Sequence, residues 1–173
     1  MIIRPMESRD FAACERVARE AFWNVYRPGA VEHLIVRRLE TAPEAEPRLA
    51  FVAEADGEIV GCVMCAKGLL MWPCGSVTEH LCVGPLAVLP EFQGKGVGSA
   101  LMDAAEAVAA RYADAVYLGV GLHEGYGSAQ RLYVKRGYIP DGTGVWYGEK
   151  VCPQYGDCRN DDSLVLYLSK QLK

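Results

Sequence analysis

The stretch PEFQGKGVG, residues 90–98, sets Gly94, Gly96 and Gly98 at every other position, between an apolar run and a helical pattern. The run before it, Leu81–Leu89, reads as a buried strand; SALMDAAEAVAARY, Ser99–Tyr112, reads as a helix. Bare backbone where a strand passes into a helix has a physical use. The first N–H groups of a helix have no intrahelical partner, and the helix dipole adds about half a positive charge there. Glycines let that backbone approach a large anion and adopt positive φ where needed, and Lys95 adds charge. The expected ligand is a phosphate or pyrophosphate. Two familiar phosphate loops are excluded. A Walker loop ending at Gly94-Lys95 needs glycine at 89 and Ser or Thr at 96, where the chain has Leu89 and Gly96. A GxGxxG fingerprint needs a third glycine at 99 or 101, where it has Ser99 and Leu101. What remains is QxxGxG, Gln93–Gly98, opening a helix after a strand.

The chain around this stretch has 173 residues, 51% apolar and 23% charged, which suits one soluble domain spanning 1–173. A net charge of −4 gives no support for a nucleic-acid or membrane partner. The first residues carry charges where an export signal would carry its apolar centre, and no apolar run approaches the ~18 residues of a membrane span. The seven cysteines therefore read as reduced thiols in the cytoplasm. Cys62 and Cys65 fall inside a strand-like segment rather than at a helix start, and Cys152 and Cys158 are too loosely spaced to complete a metal site, so none is expected.

Periodicity orders the elements. Met1–Pro5 is a short strand. A helix with Phe11, Cys14, Val17, Ala18, Ala21 and Phe22 on its apolar face follows, with Ser8 or Asp10 as its cap. Pro28-Gly29 breaks it, and Val31–Glu40 is a second short helix. Asp56-Gly57 between β-prone runs signals a hairpin, and Trp72–Ser76 a turn. A long strand, VTEHLCVGPLAVL, contains Pro85; lacking a donor, this proline marks a bulge or a place where strands part. Ala115–Gly121 is a strand, Ser128–Gly137 a helix, and Val145–Gly148 and Leu164–Ser169 are closing strands. The order βααβββαβαββ describes an α+β (mixed α/β) fold.

VGPLAVLPEFQGKGVGSALM and, further on, LYVKRGY together resemble the acetyl-coenzyme A signature and the LYxxxGF segment of the GCN5-related N-acetyltransferase (GNAT) family. The element order is similar as well. The resemblance implies an acyl-CoA acyltransferase fold: a central twisted mixed sheet of about seven strands, splayed at the fourth and fifth, flanked by about four helices. It implies acetyl-CoA lying in the gap, its pantetheine extending one strand by backbone bonds at Leu86, Ala87 and Val88. Gln93, Gly94, Lys95, Gly96, Val97, Gly98 and Ser99 would cradle the pyrophosphate, and Ser128 would stand near the pantetheine arm. The implied activity is N-acetyl transfer to a small-molecule or peptide amine by direct attack in a ternary complex; the rival is a non-catalytic acyl-CoA-binding or sensor domain. Family members often pair as homodimers.

Acetyl transfer to an amine needs a deprotonated amine, donors for the developing oxyanion and a proton for the leaving thiolate. Tyr133, matching the tyrosine of LYxxxGF, is the acid candidate. Glu79 and His80 are the base candidates, and strand alternation puts them on opposite faces. Trp23, Tyr26 and His123 are candidates for the acceptor pocket.

Overall fold

A computed structural model of the chain describes residues 1–25, 29–71, 76–148 and 150–173. Tyr26, Pro28 and most of the turn expected at Trp72–Ser76 lie outside the described residues. The strands are β1 (Ile2–Pro5), β2 (Phe51–Ala55), β3 (Glu58–Met71), β4 (Val77–Val88), β5 (Ala115–Gly121), β6 (Ile139–Tyr147), β7 (Lys150–Val151) and β8 (Leu164–Gln171). The helices are α1 (Phe11–Phe22), α2 (Glu32–Leu39), α3 (Val97–Ala109) and α4 (Gly127–Lys135). One mixed sheet runs β1-β2-β3-β4-β5-β8-β6-β7. Among the described residues no helix is long and apolar enough to cross a membrane.

Local chemistry explains most of this order. Asp56 and Gly57 have φ of +52° and +82°, the paired left-handed turn that matches strand twist, and β2 and β3 close on it as a hairpin. In α1 the expected stripe is buried at Cys14, Val17, Ala18 and Ala21. Its cap differs from expectation: neither Ser8 nor Asp10 caps α1 through its side chain. The Asp10 carboxylate instead accepts from Glu7 N at 2.8 Å and from Arg4 at 2.7 and 3.0 Å, fastening a short 3₁₀ turn to β1.

Among the described residues the sheet has eight strands, where about seven were expected. β6 starts at Ile139, six residues before the strand read at Val145, and runs through a register shift between Pro140 and Val145. Gly142 and Gly144 take φ of +90° and +89° inside it, so the segment is a strand whose middle bulges. The added strand is β7, two residues paired back onto Trp146 and Tyr147.

The two faces of the sheet follow from pairing. On β3 a Cβ at Gly61 would meet Val97 and Leu101 of α3 at 3.1 and 3.2 Å, so α3 lies on that face. The neighbouring Cys62 turns the other way, and its thiol meets that of Cys14 in α1. On β8, Lys170 reaches Glu106 of α3, so Lys170 and its partner Val116 share the α3 face, while Tyr117 and Ser169 share the α1 face. α3 supplies Val97, Leu101, Met102, Ala105 and Ala109 to the core.

Candidate functional site: a gap between two parallel strands

β4 and β5 run parallel and pair at only two places among the described residues, Leu81↔Val116 and Cys82↔Tyr117. From Val83 onward β4 leaves β5 and keeps only β3 as a partner, through the register shift opposite Val63–Cys65. Pro85 stands in that stretch, and both things its chemistry allows, an irregular ladder and parted strands, occur there. Backbone groups of a strand alternate in direction. Leu89 N–H bonds Val60 O of β3 at 2.9 Å, so Leu86 and Val88 turn their amides and carbonyls the other way, into the gap. Ala87 between them is buried and pairs with Cys62, its backbone directed to β3.

The glycine segment closes the gap at the end of β4. Gly94 and Gly96 have φ of +72° and +84°, a conformation that favours glycine, and a Cβ at either would meet nothing within 4 Å. Gly96 is the N-cap of α3, and the first backbone bond of the helix is Ala100 N to Gly96 O at 3.0 Å. The amides of Val97, Gly98 and Ser99 precede it, without intrahelical acceptors. Gln93 Nε2 donates to Val88 O at 2.9 Å, tying the loop to the strand. Lys95 is exposed, its ammonium 5.3 Å from the Phe92 ring centroid, and Val97 is a core residue.

At Gly98 three elements converge. A Cβ there would lie 3.7 Å from Leu132 of α4, 3.8 Å from Leu86 and 4.0 Å from Val88. α4 is fixed on this side by its C-cap, Arg136. That guanidinium donates to Ser99 O at 3.2 Å, Asp103 Oδ1 at 2.7 Å, and both oxygens of Glu106 at 3.1 and 2.9 Å. Glu106, 8% exposed, also accepts from Lys170 at 2.5 Å and from Tyr138 OH at 3.1 Å. Burial, with the Glu106 charge beside it, pushes the Tyr138 phenol up. Tyr133, on α4, is half-buried against the core, its ring 5.8 Å from that of Tyr138. Ser128 is exposed at the start of α4.

The opposite, α1 face of the gap is aromatic. Cys82 and Tyr117 pair directly, and His80 lies two residues back on the same face, its ring 4.3 Å from Tyr117. His80 Nε2 lies 2.5 Å from Thr78 Oγ1, and burial lowers its pKa from the ordinary 6.5. Burial raises the Cys82 thiol. Glu79 turns away, 3.3 Å from the Lys67 ammonium and 59% exposed. Gly119 of β5 pairs with Tyr167 of β8, whose ring meets Trp146 at 5.5 Å. Burial first, and then the charges of Asp141 and Cys82, raise the phenols of Tyr117 and Tyr167. Tyr117, Tyr167, Trp146 and Asp141 were not foreseen from sequence.

Trp23 ends α1 and is 53% exposed. His123 is engaged at both ring nitrogens: Nε2 lies 3.0 Å from Asp162 Oδ1, and Nδ1 accepts from Gly125 N at 3.2 Å. With Glu124, Asp161 and Asp162 it lines a cavity of about 650 Å³ that Val25 also borders.

These features suit one kind of ligand. The open glycines and unpaired amides fit a diphosphate, and the Leu86 backbone and the Val88 amide, turned away from β3, fit an amide-bearing arm.

Comparison with known proteins agrees. Residues 13–138 match the Acetyltransferase (GNAT) family. An uncharacterized N-acetyltransferase of Methanocaldococcus jannaschii is 28% identical over 166 residues, 96% of this chain and 90% of that one. The crystal structure of a GNAT family acetyltransferase from Brucella melitensis in complex with acetyl-CoA superposes with a TM-score of 0.61 at 27% identity, over 80% of this chain and 82% of that one. A GNAT-family structure from Desulfovibrio desulfuricans shares the fold, with a TM-score of 0.72 at 15% identity over 99% of both chains. The chain belongs to the acetyltransferase (GNAT) family, whose acyl donor is acetyl-CoA.

Proposed function

We propose that this chain is a cytoplasmic N-acetyltransferase that moves the acetyl group of acetyl-CoA onto an amine by direct attack within a ternary complex. The observation that carries the reading is the pairing of a strand edge left open beyond Val83 with a helix start whose amides are free at Val97–Ser99.

In this reading Leu86 and Val88 hold the pantetheine arm through their backbone. The amides around Gly94–Ser99 hold the pyrophosphate, and Lys95 adds charge from the surface. Ser128, exposed at the start of α4, flanks the pantetheine arm. Bound acetyl-CoA supplies an activated thioester. Tyr133 donates a proton to the departing thiolate from the α4 side. Of the two base candidates, His80 is the better placed, because it shares a face with Tyr117 at the root of the gap while Glu79 is held outside by Lys67. Burial keeps the His80 imidazole neutral near pH 7, the form that accepts a proton. The acceptor enters from the α1 face, past Trp23 and His123; Tyr26, the third candidate, lies outside the described residues.

Release of free thiol from acetyl-CoA in the presence of a panel of amines, with mass spectrometry of the product, tests this. Amine-dependent thiol release with an acetyl amide as product supports the reading. Tight acetyl-CoA binding with no turnover on any amine would instead make the chain a sensor.

A further inference from the structure

The bulge in β6 places a carboxylate at the aromatic wall with one oxygen unused. Asp141 Oδ1 accepts from Thr143 N at 2.8 Å and Thr143 Oγ1 at 2.7 Å. The same Thr143 hydroxyl accepts from Trp146 Nε1 at 2.9 Å, so the bulge, the carboxylate and the indole form one bonded unit. Asp141 Oδ2 is buried and has no hydrogen-bond partner among the described residues. A buried carboxylate oxygen without a donor is costly and is not kept by packing alone. Local turn geometry uses Oδ1 only, so it leaves Oδ2 unexplained.

The surroundings define what this charge faces. Strand pairing puts His80, Cys82, Tyr117, Tyr167 and Trp146 on one face, around the root of the β4–β5 gap. No lysine or arginine stands at the positions this pairing assigns to the same face. Rings offer their negative faces to a cation, and a carboxylate oxygen buried beside them, linked through Thr143 to the Trp146 indole, adds negative charge that water screens little. Further out, the cavity beside His123 is lined by Glu124, Asp161 and Asp162 and, among the described residues, by no lysine or arginine.

Resting on the N-acetyltransferase reading, we propose that Asp141 sets the acceptor class. The acceptor is a primary ammonium whose neighbouring carbon carries no carboxylate, drawn to an aromatic recess that Asp141 makes negative. A free amino acid brings its own carboxylate to strand positions that hold, among the described residues, no lysine or arginine, and is rejected. Asp141 is thus a specificity residue, acting through its charge.

The test uses matched trios: 3-methylbutylamine, leucinamide and leucine, and phenethylamine, phenylalaninamide and phenylalanine. Binding of each to the full chain saturated with coenzyme A is measured by calorimetry, for wild type and Asp141→Asn. The amines and amides bind at least ~10-fold more tightly than the parent amino acids in wild type. Asp141→Asn keeps an acceptor at Oδ1 for Thr143; it weakens the amines and amides by ~10-fold or more and leaves the amino acids within ~2-fold. Equal or tighter binding of the amino acids, no binding by any member of either trio, or amine affinity unchanged in Asp141→Asn would overturn the proposal. If the variant does not fold, the wild-type ranking decides alone. Acetyl-CoA affinity and thiol release are recorded in parallel. Loss of the ranking with those two intact removes only the role of Asp141, whereas their absence in wild type removes the N-acetyltransferase reading as well.

Discussion

The two sides of the gap are built differently. On the α3 side the groups we assign to the donor are backbone: the edges of Leu86 and Val88, and the amides that open α3 after Gly96. On the α1 side the groups we assign to the acceptor are side chains: His80 from β4, Tyr117 from β5, Tyr167 from β8, and Trp146 and Asp141 from β6. A donor whose phosphates and amides are constant needs only a fixed backbone shape. The proposed acceptor side, assembled from four strands, can change one residue at a time without disturbing that shape.

That contrast can be broken most severely at Gly96. Glutamate there places bulk and negative charge at the helix start and forces a side chain into φ +84°. Gly96→Glu is expected to abolish acetyl-CoA binding by calorimetry, weakening it by at least ~100-fold, or ~2.7 kcal/mol. Retained micromolar affinity would remove the glycine loop from the donor site.

The next largest effect is expected at Glu106, which holds both sides of the α3–α4 junction. Glu106→Ala leaves Arg136 and Lys170 without their shared buried counter-charge and is expected to cost ~3–5 kcal/mol of stability in urea titration. A loss under ~1 kcal/mol would mean that the network contributes little to the junction.

Tyr133→Phe sharpens the division of labour. Removing only the hydroxyl is expected to lower kcat by ~100-fold, the low end for a general acid, with acetyl-CoA affinity within ~2-fold. Unchanged kcat would leave Tyr133 as packing against Tyr138.

The smallest effect is a pH dependence on the acceptor side. Burial lowers the His80 pKa below 6.5, so the neutral imidazole is lost only as pH falls through that lowered value. With amine and acetyl-CoA saturating, kcat is expected to be flat near pH 7 and to fall on an acid limb below 6.5 that His80→Gln removes. An acid limb unchanged in His80→Gln would take His80 out of the chemistry.

The same contrast explains what could be read from sequence. The donor side is local. Its strand, glycines and helix are contiguous, and each has a signature that needs no tertiary information, down to Pro85 at the point where pairing lapses. The β2–β3 hairpin was legible for the same reason. The acceptor side is not local. Tyr117, Tyr167 and Trp146 meet only because β8 inserts between β5 and β6, an order that alternation along one strand cannot reveal. The start of β6 was hidden because Pro140, Gly142 and Gly144 oppose a regular strand and are accommodated by a bulge. Asp141 sits inside that bulge. Glu106 is one of two acids in an alanine-rich helix, and its cationic partners lie 30 and 64 residues away. Alternation separated Glu79 from His80, but only the pairing of β4 with β5 tells which of the two faces shares Tyr117.

The most direct test of the central claim is residue-resolved amide hydrogen exchange by NMR, with and without acetyl-CoA. Binding is expected to slow exchange at Leu86, Val88 and the amides of Gly94–Ser99, while amides already bonded to β3, such as Leu89 just past β4, stay as they were. Acetyl-CoA binding with exchange at Leu86, Val88 and Val97–Ser99 unchanged would contradict the account.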